Sequence, residues 1–133
     1  MSSLSLKGIS KMSKSPKALG IDLNNVVPGS VEAIYCEAHQ AAETAVTYEY
    51  VKQGGEPSFC GFAWVTVKPA RGSFVSFCKK NGIGHSGTYG GWEFSLYSVY
   101  GGQSMDLKEV ACRAFATVLR SHGISCSMGS RAD

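Results

Sequence analysis

The sequence lacks several features that would define its class directly. It has no CxxC pair, no apolar run long enough to cross a membrane, and no apolar segment of about 7–15 residues like the core of a signal peptide. Only 17% of its 133 residues are charged, and no acidic residue precedes Asp22. These absences argue against paired zinc ligands, a membrane span and an exported, disulfide-rich fold.

The few cysteines and histidines give little support for a metal site. The five cysteines are an odd, scattered set that we expect to be reduced thiols: Cys36, Cys60, Cys78, Cys112 and Cys126. Cys36 and His39 have a spacing that could supply two ligands from one helix, but no second pair matches it. We therefore expect a core thiol beside a helix-surface histidine, and no metal.

The positive charge is concentrated at one end of the chain. The formal net charge is +3, yet residues 21–133 contain nine of the 13 basic residues and all ten acids, for a balance of about −1. The other four basic residues are Lys7, Lys11, Lys14 and Lys17. We predict a flexible basic arm over residues 1–28 and a single domain over residues 29–133. Phosphate contact and targeting are the alternative roles of the arm.

Two helices are predicted from apolar periodicity and capping signals. The first runs over residues 31–53, with Ser30 as its N-cap and Gly54-Gly55 as its end. The second runs over residues 106–122, where Asp106 and Glu109 form a D-x-x-E capping box and Gly123 closes the helix.

The segments between and after these helices have strand patterns. Residues 59–67 are apolar on both faces and predict a central strand, which residues 73–78 would join as a hairpin. Residues 92–100 alternate, and residues 124–128 predict a short last strand. The expected fold is a two-layer α+β domain of order α-β-β-β-α-β. Its antiparallel sheet would have three to four strands, with two helices on one face.

The most suggestive binding segment is the loop expected over residues 79–91, which contains five glycines. Glycines let backbone N–H groups approach an anion closely. The ligand-binding candidates here are Lys79, Lys80, His85, Ser86 and Tyr89, with Arg71 from the preceding turn. The alternative is a mobile connection between strands.

A second polar cluster flanks the last helix. It consists of Gln103, Ser104, Arg131 and Asp133. A polar segment before a helix N-terminus can hold an anion, and ordinary capping is the alternative role of Gln103 and Ser104.

No catalytic constellation is evident. His85 and Ser86 are adjacent, so their side chains point apart on an extended backbone, and the loop contains no acid to orient the histidine. We therefore expect no catalytic residues, no enzymatic activity and no cofactor.

Four motifs give the chain a resemblance to a known family. They are GEPxxCGFAWV (residues 55–65), QSMDLKE (residues 103–109), RAFAxVLR (residues 113–120) and SRAD (residues 130–133). In combination they resemble a family of small uncharacterised proteins from tailed bacteriophages, over residues 31–133. The resemblance implies a phage protein acting in the host bacterial cytoplasm, and it implies no activity. The arm and the glycine-rich loop lie outside it.

Two function classes remain. In the first, the protein is a non-enzymatic binder that counters host defence by sequestering a nucleotide-like signal or a host protein. In the second, it is an accessory protein that binds nucleic acid, since the order α-β-β-β-α is similar to that of the double-stranded RNA-binding domain. Acidic residues at the start of the second helix count against this alternative. We expect no membrane partner, and homo-oligomerisation is compatible with either class.

Overall fold

The computed structural model describes residues 12–55 and 59–133. In these residues three helices and a four-stranded antiparallel sheet share one core, so the α+β class is confirmed. The elements in chain order are α1 (Val31–Gln53), β1 (Gly61–Val67), α2 (Ser73–Lys80), β2 (His85–Ser86), β3 (Trp92–Phe94), α3 (Met105–Ser121) and β4 (Cys126–Ala132). The strand order is β2-β3-β1-β4.

Helix α1 has the predicted bounds. Ser30 Oγ accepts the Ala33 N–H over 3.2 Å at the N-terminus. The helix ends at Gly54, which has the left-handed φ of 72° that glycine adopts most easily. Tyr35, Ala38 and other residues at helical spacing are buried, so one stripe of the helix faces the core.

Strand β1 is central, as its apolar sequence predicts. It pairs with β3 on one side and with β4 along its whole length on the other. The predicted second strand over residues 73–78 is wrong, because this segment is helix α2. Phe74, Phe77 and Cys78 are buried together, and their i, i+3, i+4 spacing fits one face of a helix better than one face of a strand.

Helix α2 changes the order of elements to α-β-α-β-β-α-β. The predicted order α-β-β-β-α-β is therefore wrong in its middle. The described residues contain three helices, where two were predicted. The similarity to the double-stranded RNA-binding domain, which depended on three successive strands, is lost with it.

The glycine-rich segment over residues 79–91 is not a single loop. Lys79 and Lys80 are the last residues of α2, and His85 and Ser86 form β2, which pairs with β3 as a short hairpin. Strand β3 ends at Phe94 rather than at residue 100. Beyond it the chain turns, because the N–H groups of residues 99 and 100 both donate to the carbonyl of Leu96.

Helix α3 lies within one residue of its prediction, but its cap differs. The N-cap is Ser104, whose hydroxyl accepts the Leu107 N–H over 3.3 Å. Asp106 lies in the first turn. The predicted capping box is therefore wrong, and Glu109 instead accepts a hydrogen bond from the Ser130 hydroxyl on β4.

Strand β4 is longer than predicted and extends to Ala132. The Ser-Arg-Ala-Asp segment at residues 130–133 is largely part of the sheet. Its strand residues face residues 61–63 of β1.

The core lies between the sheet and the helices. Its centre is a cluster of aromatic rings whose centroids lie 5.2–6.5 Å apart, contributed by all three helices and β3. These residues are Tyr35, Phe74, Phe77, Phe94 and Phe115.

Part of the predicted arm packs against this core. Leu19 and Ile21 contact the buried cluster, and the Tyr35 hydroxyl donates to the carbonyl of Lys14 over 2.5 Å. Lys14 Nζ also donates to the Asn81 carbonyl over 2.7 Å. Contacts with the domain therefore begin before residue 28, the predicted end of the arm. Lys7, Lys11 and the rest of residues 1–11 lie outside the described residues.

Candidate ligand-binding face of the sheet

The two faces of β1 differ in their surroundings. Ala63, Val65 and Val67 are buried beneath the helices. Side chains alternate along a strand, so Phe62 and Trp64 lie on the opposite face. No helix of the described residues packs there, and we call it the open face.

The open face has an aromatic platform. Trp64 lies beside Gly129 of β4, where an added Cβ would come within 2.8 Å of the indole, so a glycine is needed at this position. Phe62 is 42% exposed and lies next to Trp64 on the same face of the strand. Tyr97 and Tyr89, from the segments that flank β3, extend the aromatic lining.

These residues line a groove of about 880 Å³. That volume falls in the range that small-molecule ligands occupy. Basic side chains line it from three directions, namely Lys68 after β1, Lys108 on α3 and Arg131 on β4. Among the described residues that line it, Glu93 is the only acidic one. The lining thus favours a ligand that is both aromatic and anionic.

Lys108 is held in place by a hydrogen bond to the backbone of β1. Because β3 stops at Phe94, the Gly61 carbonyl of β1 has no strand partner there, and Lys108 Nζ donates to it over 2.9 Å. The ammonium group lies 5.2 Å from the Phe62 ring centroid and 5.8 Å from that of Tyr97. This buried lysine fixes a positive charge at the inner end of the groove.

Arg131 lies near the same ring. Its guanidinium carbon is 5.4 Å from the Phe62 centroid. Two cations are therefore close to one aromatic side chain, and two like charges near each other attract an anion more strongly than either alone.

The acidic side of the groove is formed by the hairpin. Glu93 pairs with His85 across β2 and β3. An added Cβ at Gly87 would lie 2.7 Å from Glu93 Oε2, so the carboxylate rests against the glycine backbone. Lys68 Nζ donates to the Tyr89 carbonyl over 3.0 Å and ties the tip of the hairpin to β1.

The predicted ligand-binding residues are only partly brought together. His85, Tyr89 and Arg131 line the groove, although the sequence placed Arg131 in a different cluster from the other two. The remaining candidates lie elsewhere. Lys79 Nζ lies 5.3 Å from the Trp92 ring, and Lys80, Arg71 and Ser86 are exposed outside the groove.

Ser104 is the member of the second predicted cluster whose side chain has a structural contact. Ser104 is 2% exposed and caps α3, which agrees with its alternative role. The Gln103 carbonyl accepts the Gly61 N–H, and the Asp133 N–H donates to the Cys60 carbonyl. Both are backbone hydrogen bonds to the residues at the start of β1.

The sequence missed the residues that define the groove. Phe62 and Trp64 belong to a strand that is apolar on both faces, so its exposed residues could not be separated from its core residues. Lys108 was not among the predicted binding residues, and it is only 9% exposed. The alternation of small and aromatic residues from Gly61 to Trp64 was the available signal.

A buried polar network lies away from the groove. His39 is 1% exposed, so its predicted position on the helix surface is wrong. Its Nδ1 lies 2.8 Å from Glu43 Oε1 and its Nε2 lies 2.7 Å from Ser98 Oγ. The carboxylate accepts from Nδ1–H, so in the neutral ring Nε2 accepts from the Ser98 hydroxyl.

This network has the order of a serine–histidine–acid triad, and its serine also contacts the segment that precedes α1. Ser98 Oγ contacts Ser13 Oγ at 2.7 Å, and the Ser98 N–H donates to Ser13 Oγ. The N–H groups of Val99 and Tyr100 donate to the carbonyl of Leu96, so these two groups are not directed at Ser98 Oγ. The network therefore docks the segment around Ser13 onto α1.

The buried cysteines are poorly suited to chemistry. Burial raises the pKa of the Cys78 thiol, and that of the Cys112 thiol, to about 12. Both thiols are protonated at neutral pH and hence weak nucleophiles. In the described part of the chain no three His, Cys, Asp or Glu residues are grouped as metal ligands would be.

Comparisons of the chain with protein-family models, with curated proteins and with solved structures gave no match. Within residues 12–55 and 59–133, none of the helices has the length and apolar character needed to cross a membrane.

Proposed function

We propose that this chain is a non-enzymatic binding protein that sequesters a nucleotide-like anion on the open face of its sheet. The observation that supports the proposal is the placement of Lys108 and Arg131 within 5.4 Å of the Phe62 ring centroid, next to Trp64. A planar base can stack on Trp64 while a phosphate group reaches the two cations.

The phage origin and the action in the host cytoplasm belong to the same proposal. Their support is the resemblance carried by the motifs at residues 55–65, 103–109, 113–120 and 130–133. A small binder with this groove could act against host defence by lowering the free concentration of a nucleotide signal, since binding alone removes the signal from its receptor.

The proposal is tested by calorimetric titration of the full chain with nucleoside monophosphates, cyclic nucleotides and inorganic phosphate. We expect binding of at least one nucleotide class and weaker binding of phosphate alone. Trp64→Ala should lower the affinity about tenfold or more, because base stacking on an aromatic ring contributes about 1–3 kcal/mol. Arg131→Gln should lower the affinity for nucleotides and for phosphate alike.

Matched controls lie on the helical side of the molecule. Tyr48 is an exposed aromatic residue on α1 and Arg113 is an exposed cation on α3. Tyr48→Ala and Arg113→Gln should leave the affinity unchanged. Absence of nucleotide binding, or full affinity in Trp64→Ala, contradicts the proposal. Binding of single-stranded oligonucleotides alone, with steep salt dependence, would favour the nucleic-acid class instead.

A further inference from the structure

Strand β4 is an edge of the sheet, and its hydrogen bonds to β1 follow a fixed alternation. The Lys68 N–H donates to the Ser125 carbonyl and the Asp133 N–H donates to the Cys60 carbonyl, each over 3.1 Å. Hydrogen-bonded and non-hydrogen-bonded pairs alternate in an antiparallel ladder. The odd-numbered residues of β4 are therefore those whose backbone groups bond to β1.

The even-numbered residues of β4 direct their backbone groups away from the sheet. These are Cys126, Met128, Ser130 and Ala132. The Cys126 carbonyl accepts from the Arg120 guanidinium over 3.2 Å, which closes that end of the edge. The N–H and C=O groups of the other three have no hydrogen-bond partner within the described residues.

This open edge lacks most of the usual protections against strand pairing, and Arg131 is its one charged residue. Its seven residues contain no proline and no lysine, and the register with β1 is unbroken by a bulge. Natural edge strands commonly carry such features to prevent association. Their absence from a regular strand of this length favours pairing with another strand.

We propose that two copies of this chain associate through β4, antiparallel and about a twofold axis at Ser130. Ser130 then faces Ser130 of the second copy, and Met128 faces Ala132. Each pair exchanges two N–H···O bonds, so about six outward groups on each copy are satisfied. A twofold axis at Met128 is disfavoured, because it would require the Cys126 carbonyl that Arg120 already occupies.

The same register suits the side chains. Arg131 on the open face lies opposite Gly129 of the second copy, where no side chain obstructs it. The two open faces become adjacent, so the binding groove of one copy continues towards that of the other. The proposal is independent of what the groove binds.

The test is sedimentation equilibrium of the full chain over a roughly hundredfold range of concentration. Reducing conditions are needed because Cys60 is exposed and could form a disulfide. The wild type should shift from its monomer mass of 14.1 kDa towards twice that value as concentration rises. A mass that stays at 14.1 kDa throughout overturns the proposal.

Two substitutions at Ser130 separate pairing from folding. Ser130→Pro removes an outward N–H that β1 does not use, and proline is tolerated on an edge strand in that orientation. It should remain monomeric at every concentration. Ser130→Ala also loses the hydroxyl bond to Glu109 but keeps the N–H, so it should dimerise like the wild type. Wild-type dimerisation of Ser130→Pro overturns the proposal.

Amide hydrogen exchange provides a readout that needs no variant. The amides of residues 128, 130 and 132 should gain protection as concentration rises, whereas those of residues 127, 129 and 131 should be protected throughout by β1. Concentration-independent exchange at residues 128, 130 and 132 would contradict pairing through this edge.

Discussion

Apolar residues of β1 differ in exposure between the two faces of the strand. Val65 and Val67 face the helices and are at most 3% exposed, whereas Phe62 faces outward and is 42% exposed. The outward Phe62 and Trp64 are as apolar as the inward valines. What separates them is the cover that α3 provides on one side only, so stability is expected to depend on the core face and ligand binding on the open face.

The largest effect that tests this comparison is expected from Phe115→Ala. Phe115 is fully buried and contacts Tyr35, Phe74 and Phe94. Truncating a buried phenylalanine leaves a cavity and costs about 3–5 kcal/mol of unfolding free energy. Urea denaturation followed by circular dichroism measures the loss.

The matched substitution on the open face is Phe62→Ala. It removes the same side chain from an exposed site, so we expect a cost of less than about 1 kcal/mol. Equal costs for Phe62→Ala and Phe115→Ala would show that the open face is covered and part of the core.

The next effect concerns polar groups rather than rings. Ser98→Ala removes the hydroxyl shared by His39 and Ser13, and leaves the buried His39 Nε2 without its donor. An unsatisfied buried polar group costs about 1–3 kcal/mol. Ser127→Ala, at an exposed serine of β4, should change stability by less than about 0.5 kcal/mol. Thermal melting of both variants measures the difference, and equal melting temperatures would contradict a docking role for the network.

The sequence predicts the long helices better than the sheet. Helices α1 and α3 follow a helical repeat over many residues, and glycine lies at or just after each C-terminus, so their bounds are close to those predicted. Segment 73–80 is too short for periodicity to separate a helix from a strand. The burial of Phe74 and Phe77 in the core favours the helix. Only tertiary contacts could reveal that difference.

Of the candidate site, likewise, the sequence predicted only the residues that a local pattern indicates. His85 and Tyr89 stood out locally in a glycine-rich segment. Lys108 and Phe62 did not, since they meet only when α3 packs across the end of β1. The pairing of Glu109 with Ser130, and of His39 with Ser98, likewise joins residues far apart in sequence.

A smaller effect tests the cap of α3. Ser104→Ala removes the hydroxyl that accepts the Leu107 N–H, which should cost about 1 kcal/mol of unfolding free energy. Asp106→Ala loses only the favourable interaction of a carboxylate with the helix dipole, about 0.3–1 kcal/mol. Chemical denaturation at low ionic strength compares the two. A larger loss of unfolding free energy in Asp106→Ala would indicate that Asp106, and not Ser104, caps the helix.

The smallest expected effect on stability is the one that separates the two faces most clearly. Glu93 is the only carboxylate that lines the groove in residues 12–55 and 59–133, so Glu93→Gln removes a negative charge that opposes an anionic ligand there. Stability should change by less than about 0.5 kcal/mol, while affinity for a bound nucleotide should rise a few-fold at low salt. Glu49→Gln on α1 makes the same change of charge far from the groove and should leave affinity unaltered. If Glu93→Gln weakened nucleotide binding instead, the carboxylate would be accepting a hydrogen bond from the ligand, and the open face would select its ligand by more than charge.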